Sequence, residues 1–216
     1  MRILLIDHGC CDPPHTRVHR LRAGLEAGGD TVAICGPSTT PGLGGQPNGM
    51  HGIHLHDVAA ASGRFLAAVR DGDAAAFLRA AAHVPARLLG LARETARQVI
   101  AEATDSSEPD AIFVWHAGIL ADLAVETGAP VVVHVSPVDL DAAAGRPSLR
   151  RLVARAIGSS DCIIAADAAT AATLRTDWLG FEADESFRCE AWPAADDMAP
   201  NVAASCRTAL DRRRGV

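Results

Sequence analysis

Three short stretches of the sequence hold the side chains best suited to chemistry. The first is DHGCCDPPHTR, from Asp7 to Arg17, where His, Cys, Asp and Arg crowd around Gly9 and two prolines. The second is His116, which directly follows the apolar run Ala111–Trp115. The third is His134 with Ser136, Asp139 and Asp141, at and after the run VVVHV. Near neutral pH an imidazole can take up or release a proton, so His116 and His134 are the candidate catalytic residues. Gly9, His15, Arg17, Ser136 and Asp139 are the candidate substrate-binding residues. Gly9 allows a tight turn, and the start of the following helix, with Arg17, suits an anion. As single carboxylates in a polar segment, Asp139 and Asp141 also read as turn formers.

Metal binding is the weaker reading of these residues. The loop set His8, Cys10, Cys11, Asp12 and His15 contains adjacent cysteines, which chelate one ion poorly, and two stiff prolines. His54 and His56 share one face of a strand, but they make only half a zinc site. A solvated edge strand explains them better. The six cysteines, at 10, 11, 35, 162, 189 and 206, form no CxxC pair. Cys35 and Cys162 lie in apolar runs and read as small core residues. No metal and no cofactor is expected.

The elements that must position these residues alternate. Strand-like runs are predicted at Arg2–Ile6, Thr31–Cys35, Ile53–His56, Ala111–Trp115, Pro130–Val135, Cys162–Ala165 and Phe187–Ala191. Helical patterns lie between them: His15–Ala27, Val58–Ala103 with a break near Asp71-Gly72 and a kink at Pro85, Gly118–Glu126, Ser148–Ile157 and Ala168–Leu179. Gly36–Gly52 and Asp139–Pro147 read as loops, the former mobile, and Asp105–Pro109 as a polar break. The tail from Pro200 has Val202, Cys206 and Leu210 spaced by four, an amphipathic helix. Such alternation predicts an α/β fold: a Rossmann-like, doubly wound parallel sheet of six to seven strands in a three-layer αβα sandwich. Residues 1–199 read as one domain and 200–216 as a helical tail. In such a sheet the loops at the carboxyl ends of the strands face the ligand. A GxGxxG dinucleotide fingerprint is absent.

Composition narrows the partners. The chain has 216 residues, 49% apolar, with a formal net charge of −6. An acidic surface argues against nucleic acid or an anionic membrane. No stretch reaches the length of a membrane span, and MRILLID turns polar too soon for a signal peptide, so a cytoplasmic setting is expected.

Three segments carry a resemblance. MRILLI, its Pro-containing loop and RVHRLRAGLEAGGDTVAICGP resemble the opening of family 4 glycosyltransferases of the GT-B fold. PDAIFVWHAGILADLAVETGAPVVVHV and LRRLVARAIGSSDCIIAADAATAATLR resemble their later strands and helices, in the same order over roughly residues 1–192. That family's fold has two Rossmann-like domains across a cleft. The N-terminal one mainly binds the acceptor, and the C-terminal one grips a nucleotide-sugar donor. Transfer is metal-independent and of the retaining type. By this resemblance the chain is the acceptor-binding half, and FRCEAWPAADD stands where the donor domain begins. Two family features are replaced: the glycine pair near the donor phosphates by His15-Thr16, and a His-Gly after the fifth strand by Ser136-Pro137. The resemblance therefore implies hexosyl transfer only with a donor-domain partner or a homodimer. A stand-alone helper or binding protein, or a small hydrolase using His116 or His134, is the alternative.

Overall fold

The computed structural model describes residues 1–9, 16–38, 49–55, 68, 74–179, 187–188 and 198–215. Seven strands form one parallel sheet: β1 (Arg2–Asp7), β2 (Thr31–Ser38), β3 (Met50–His54), β4 (Ala111–Trp115), β5 (Val131–Val135), β6 (Cys162–Ala165) and β7 (Phe187–Arg188). Their order is β3-β2-β1-β4-β5-β6-β7, and every pairing is parallel. The order reverses between β1 and β4, so their carboxyl ends flank the crevice where such sheets hold ligands.

The central strands are mainly apolar because both faces are covered, and alternate side chains divide between two cores. Leu4, Ile6, Cys35, Ile112, Val114, Val131, Val133 and Val135 join one core. Helices α2 (Ala74–Ala81), α3 (Ala86–Ser107), α4 (Ala121–Glu126), α5 (Pro137–Ala144) and α6 (Pro147–Ser159) supply its other side. Ile3, Leu5, Val32, Ile34, Phe113, Trp115, Val132 and Ile164 join the other core, packed by α1 (Thr16–Ala27) and α8 (Met198–Arg214). Between β6 and β7, α7 (Ala168–Thr173) runs into a π-helical turn, Leu174–Trp178. Buried Cys35 and Cys162 are small core residues, as their apolar surroundings predict.

Four local expectations are corrected. The segment Asp139–Pro147 is not a loop: α5 starts at Pro137. Pro is accommodated at a first helical position, where its missing N–H has no intrahelical acceptor to lose. At the start of this helix Ser136 N–H and Oγ–H both donate to Asp139 Oδ2, and Asp139 N–H donates to the Ser136 carbonyl. Pro85 does not kink a long helix; it caps α3 after a turn at Ala82–Val84. The Asp105–Pro109 break begins later than its polarity suggests. α3 continues to Ser107, where Ser106 and Ser107 hydroxyls donate to the Ala103 carbonyl. Finally, the ends of Gly36–Gly52 are strand: β2 runs to Ser38 and β3 begins at Met50. Residues 39–48 lie outside the described residues, and so does the mobility expected of them.

The ion pair of Arg93 with Asp122 ties α3 to α4. Two guanidinium nitrogens each lie 2.8 Å from a carboxylate oxygen of the fully buried Asp122. Among the described residues, no helix is long and apolar enough to cross a membrane.

Candidate functional site

The carboxyl ends of β1, β4 and β5 bring together Asp7, His8, Trp115, His116, His134, Ser136 and Asp139, all buried. His116 is the centre of this group. Its φ of 82° is a backbone conformation that non-glycine residues rarely adopt. Strain of this kind costs about 1–3 kcal/mol and needs support from its surroundings. Part of that support is the His116 N–H, which donates to the His134 carbonyl at 3.1 Å. The kink takes the chain off β4 and into the turn before α4.

Asp139 orients the His116 ring. Ser136 N–H and Oγ–H donate to Asp139 Oδ2 at 2.7 and 2.9 Å. His116 Nδ1 lies 3.3 Å from Asp139 Oδ2 and 3.2 Å from Ser136 Oγ. Asp139 Oδ1 lies 3.3 Å from the same nitrogen. A carboxylate on Nδ1 fixes the proton there and leaves Nε2 as the basic nitrogen. Burial works against the His116 imidazolium, but the charge and hydrogen bond of Asp139 outweigh it and raise its pKa above 6.5. Burial would raise the Asp139 pKa; the opposing pull of His116 and the Ser136 N–H lower it instead. The two directions agree: each group favours the charged form of the other.

Two other histidines flank His116, with ring centroids at 6.3 Å for His8 and 6.1 Å for His134, both edge-on. Burial foremost, and then the charge of His116, push the pKa of His8 down to about 4 and that of His134 to about 3. Both stay neutral when His116 is charged. His8 is structural. Its Nδ1–H donates to the Trp115 carbonyl at 3.0 Å, and its Nε2 accepts from Leu120 N–H at 3.1 Å. This ties the end of β1 to the turn after β4. Gly118 is required in that turn, because a Cβ there would lie 2.2 Å from Leu78 Cδ2 and 2.6 Å from His8 Nε2.

Of the residues singled out in the sequence, His116, His134, Ser136 and Asp139 meet in one cluster. Gly9 sits at the end of β1, where its N–H donates to Asp7 Oδ1 at 3.2 Å. Arg17 comes in from α1 and lays its guanidinium over the Trp115 ring, 3.7 Å from the centroid. His15, with Cys10, Cys11, Asp12 and His56, lies outside the described residues. No group of three or more metal-ligating side chains occurs among the described residues. His51 is buried in β3, at the sheet edge.

The roles of two participants were not found from the sequence. Trp115 reads there as the last residue of an apolar strand, and His8 as part of a polar loop. A signal for the role of Asp139 was present. Ser136-Pro137-Val138-Asp139 has the spacing of a helix-starting capping box, which places the carboxylate back over the residue before the helix.

Fold and crevice together define a Rossmann-like α/β protein with a GT-B glycosyltransferase-like fold. A sucrose-phosphate synthase structure from Thermosynechococcus elongatus is similar over 96% of this chain and 98% of its own, with a TM-score of 0.59 at 13% identity. A UDP-GlcNAc 2-epimerase from Neisseria meningitidis, bound to UDP-GlcNAc, is similar over 99% of this chain, with a TM-score of 0.51 at 12% identity. The chain spans about half the length of that epimerase (52%). No family model matches the chain, and no curated protein sequence matches it.

Proposed function

We propose that this chain is the acceptor-binding, N-terminal-type domain of a family 4-like GT-B glycosyltransferase, and that a partner supplies the donor domain. The observation that carries the reading is the His116–Asp139–Ser136 cluster at the β1/β4 switch point of a GT-B-like sheet. In hexosyl transfer, an acceptor hydroxyl oxygen bonds to the anomeric carbon. The bond from that carbon to the nucleotide phosphate breaks, and its electron pair leaves with the phosphate. The hydroxyl proton must also leave. His116 Nε2 is the group that receives it or holds the hydroxyl in place, and Asp139 stabilises the charge that results. Neutral His134 forms the adjacent wall. Residues 1–199 make the acceptor domain, and the C-terminal helix is a returning segment that covers its sheet. Donor recognition needs phosphate-binding groups and a carboxylate for the ribose, and the described crevice offers no such set.

Calorimetry with a panel of nucleotide sugars tests the reading. The isolated chain should bind none of them, and binding and transfer should appear once a donor-domain protein is added. Tight binding and turnover by the isolated chain would refute the split arrangement. Hydrolysis without an acceptor, lost in His116→Gln, would instead favour a self-contained hydrolase.

A further inference from the structure

On the α1 side of the sheet a cavity of ≈ 150 Å³ lies between α1 and the start of α8, lined by Arg17, Arg20, Leu21, Gly24, Trp115 and Met198, with Ala199 beside it. Its inner wall is Trp115, which is 2% exposed. The indole Nε1–H is buried and has no hydrogen-bond partner among the described residues. A buried donor without an acceptor costs stability, and such groups are rare unless a ligand or function retains them. Arg17 is the second observation. The flat face of its guanidinium is spent on the Trp115 ring. Its edge carries the N–H groups, and among the described residues none of them donates a hydrogen bond or joins an ion pair. A guanidinium stacked on an aromatic ring is held in orientation with its donor edge open, the arrangement that suits two oxygens of one oxyanion.

Trp115 also joins this cavity to the histidine cluster. Its ring meets His134 edge-on at 5.9 Å between centroids, and His116 is the next residue in the chain. An anion held by Arg17 and the indole N–H would therefore lie one ring away from the cluster.

We propose that Arg17 and Trp115 form an oxyanion-binding subsite, and that the molecule placed against His116 carries a carboxylate or phosphate group. The assignment to the acceptor rests on the glycosyltransferase reading; the anion site does not. Arg20 lies on the same wall.

The test uses the full chain with 15N-labelled tryptophan. The chain has three tryptophans, so the Trp115 indole resonance is assigned with Trp115→Phe. Glycerol 3-phosphate, glycerate and glycerol are titrated in turn. At least one of the two anions should shift the Trp115 indole signal, with a dissociation constant of about 1 mM or tighter, and glycerol should not. The stronger of the two anions identifies the group as phosphate or carboxylate. Arg17→Gln should weaken binding about tenfold or more, as loss of a charge-assisted pair does. Arg17→Lys, which keeps the charge but loses the planar fork, should weaken it less. A urea melt of each variant confirms folding. If neither anion shifts Trp115, if glycerol shifts it equally, or if Arg17→Gln binds as the parent does, the subsite is refuted. None of those results bears on rescue by a donor-domain protein, so the two proposals fail separately.

Discussion

His116 combines three features that rarely coincide in one residue: a positive φ, near-complete burial and a carboxylate on Nδ1. Its pKa is raised, so folding favours the imidazolium. The stability this group contributes is fully present below pH 6.5 and is lost as pH rises through the folded pKa. Titration of the imidazole resonances by NMR should therefore find the His116 pKa above 6.5. In Asp139→Asn that value should fall below 6.5, because burial then acts unopposed by the carboxylate. If the replaced carboxylate leaves the titration unchanged, the pair is not the source of the shift. In the same variant the amide oxygen can still accept from the Ser136 N–H and hydroxyl, but without the carboxylate charge those bonds weaken, so α5 should begin less firmly. The cluster thus ties a helix start to a proton-transfer group, and one carboxylate serves both.

At the scale of elements, α8 carries more than a tail usually does. It packs against β4, β5, β6 and α1. Its buried Met198, Val202, Ala203, Cys206 and Ala209 complete the core around Phe113, Val132, Cys162 and Ile164. Removing residues 200–216 would leave a contiguous apolar surface on one face of the sheet, which promotes association. The truncated chain should aggregate, or melt at a clearly lower temperature, when followed by light scattering and circular dichroism. Val202→Ala, a milder change, should cost about 2 kcal/mol in urea unfolding. An equally stable, monomeric truncated chain would mean that α8 is dispensable. The neighbouring contact at Gly24 shows how close the packing is: a Cβ there would lie 2.8 Å from Ala199 Cβ.

For the molecule as a whole, the three histidines make stability depend on pH with opposing signs. His8 and His134 have folded pKa values of about 4 and about 3, against 6.5 when unfolded. The unfolded chain therefore binds more protons than the native one over that window. The stability these two groups contribute is present above 6.5 and is lost as pH falls towards 4 and 3. His116 acts in the opposite direction, but its charge also disfavours protonation of its two neighbours. Urea midpoints measured from pH 7 to pH 4.5 should fall steadily as the pH is lowered. His134→Phe should flatten that slope. A midpoint that rises on acidification would show that the His116 pair dominates instead.

Much of this protein was set by local sequence physics. Runs such as ILLI and AIFVW are apolar at every position, and VVVHV at every position but His134, which only a strand covered on both faces accommodates. Helical periodicity between the runs then implies a parallel sheet, and the position of His116 after the fourth strand implies a place in the crevice. What tertiary structure decided depends on which side chains meet across the sheet. The polarity of Asp139–Pro147 pointed to a loop. The segment became a helix because Asp139 satisfies Ser136 and faces a buried histidine supplied 23 residues earlier. His8 read as one residue of a polar loop until the Trp115 carbonyl and Leu120 N–H, more than 100 residues away, occupied both of its nitrogens. Trp115 was one more apolar strand residue until α1 brought Arg17 across its face. Sequence periodicity records which face of an element is apolar, but a polar side chain takes its role from its partner, and those partners come together only when the strands and helices pack.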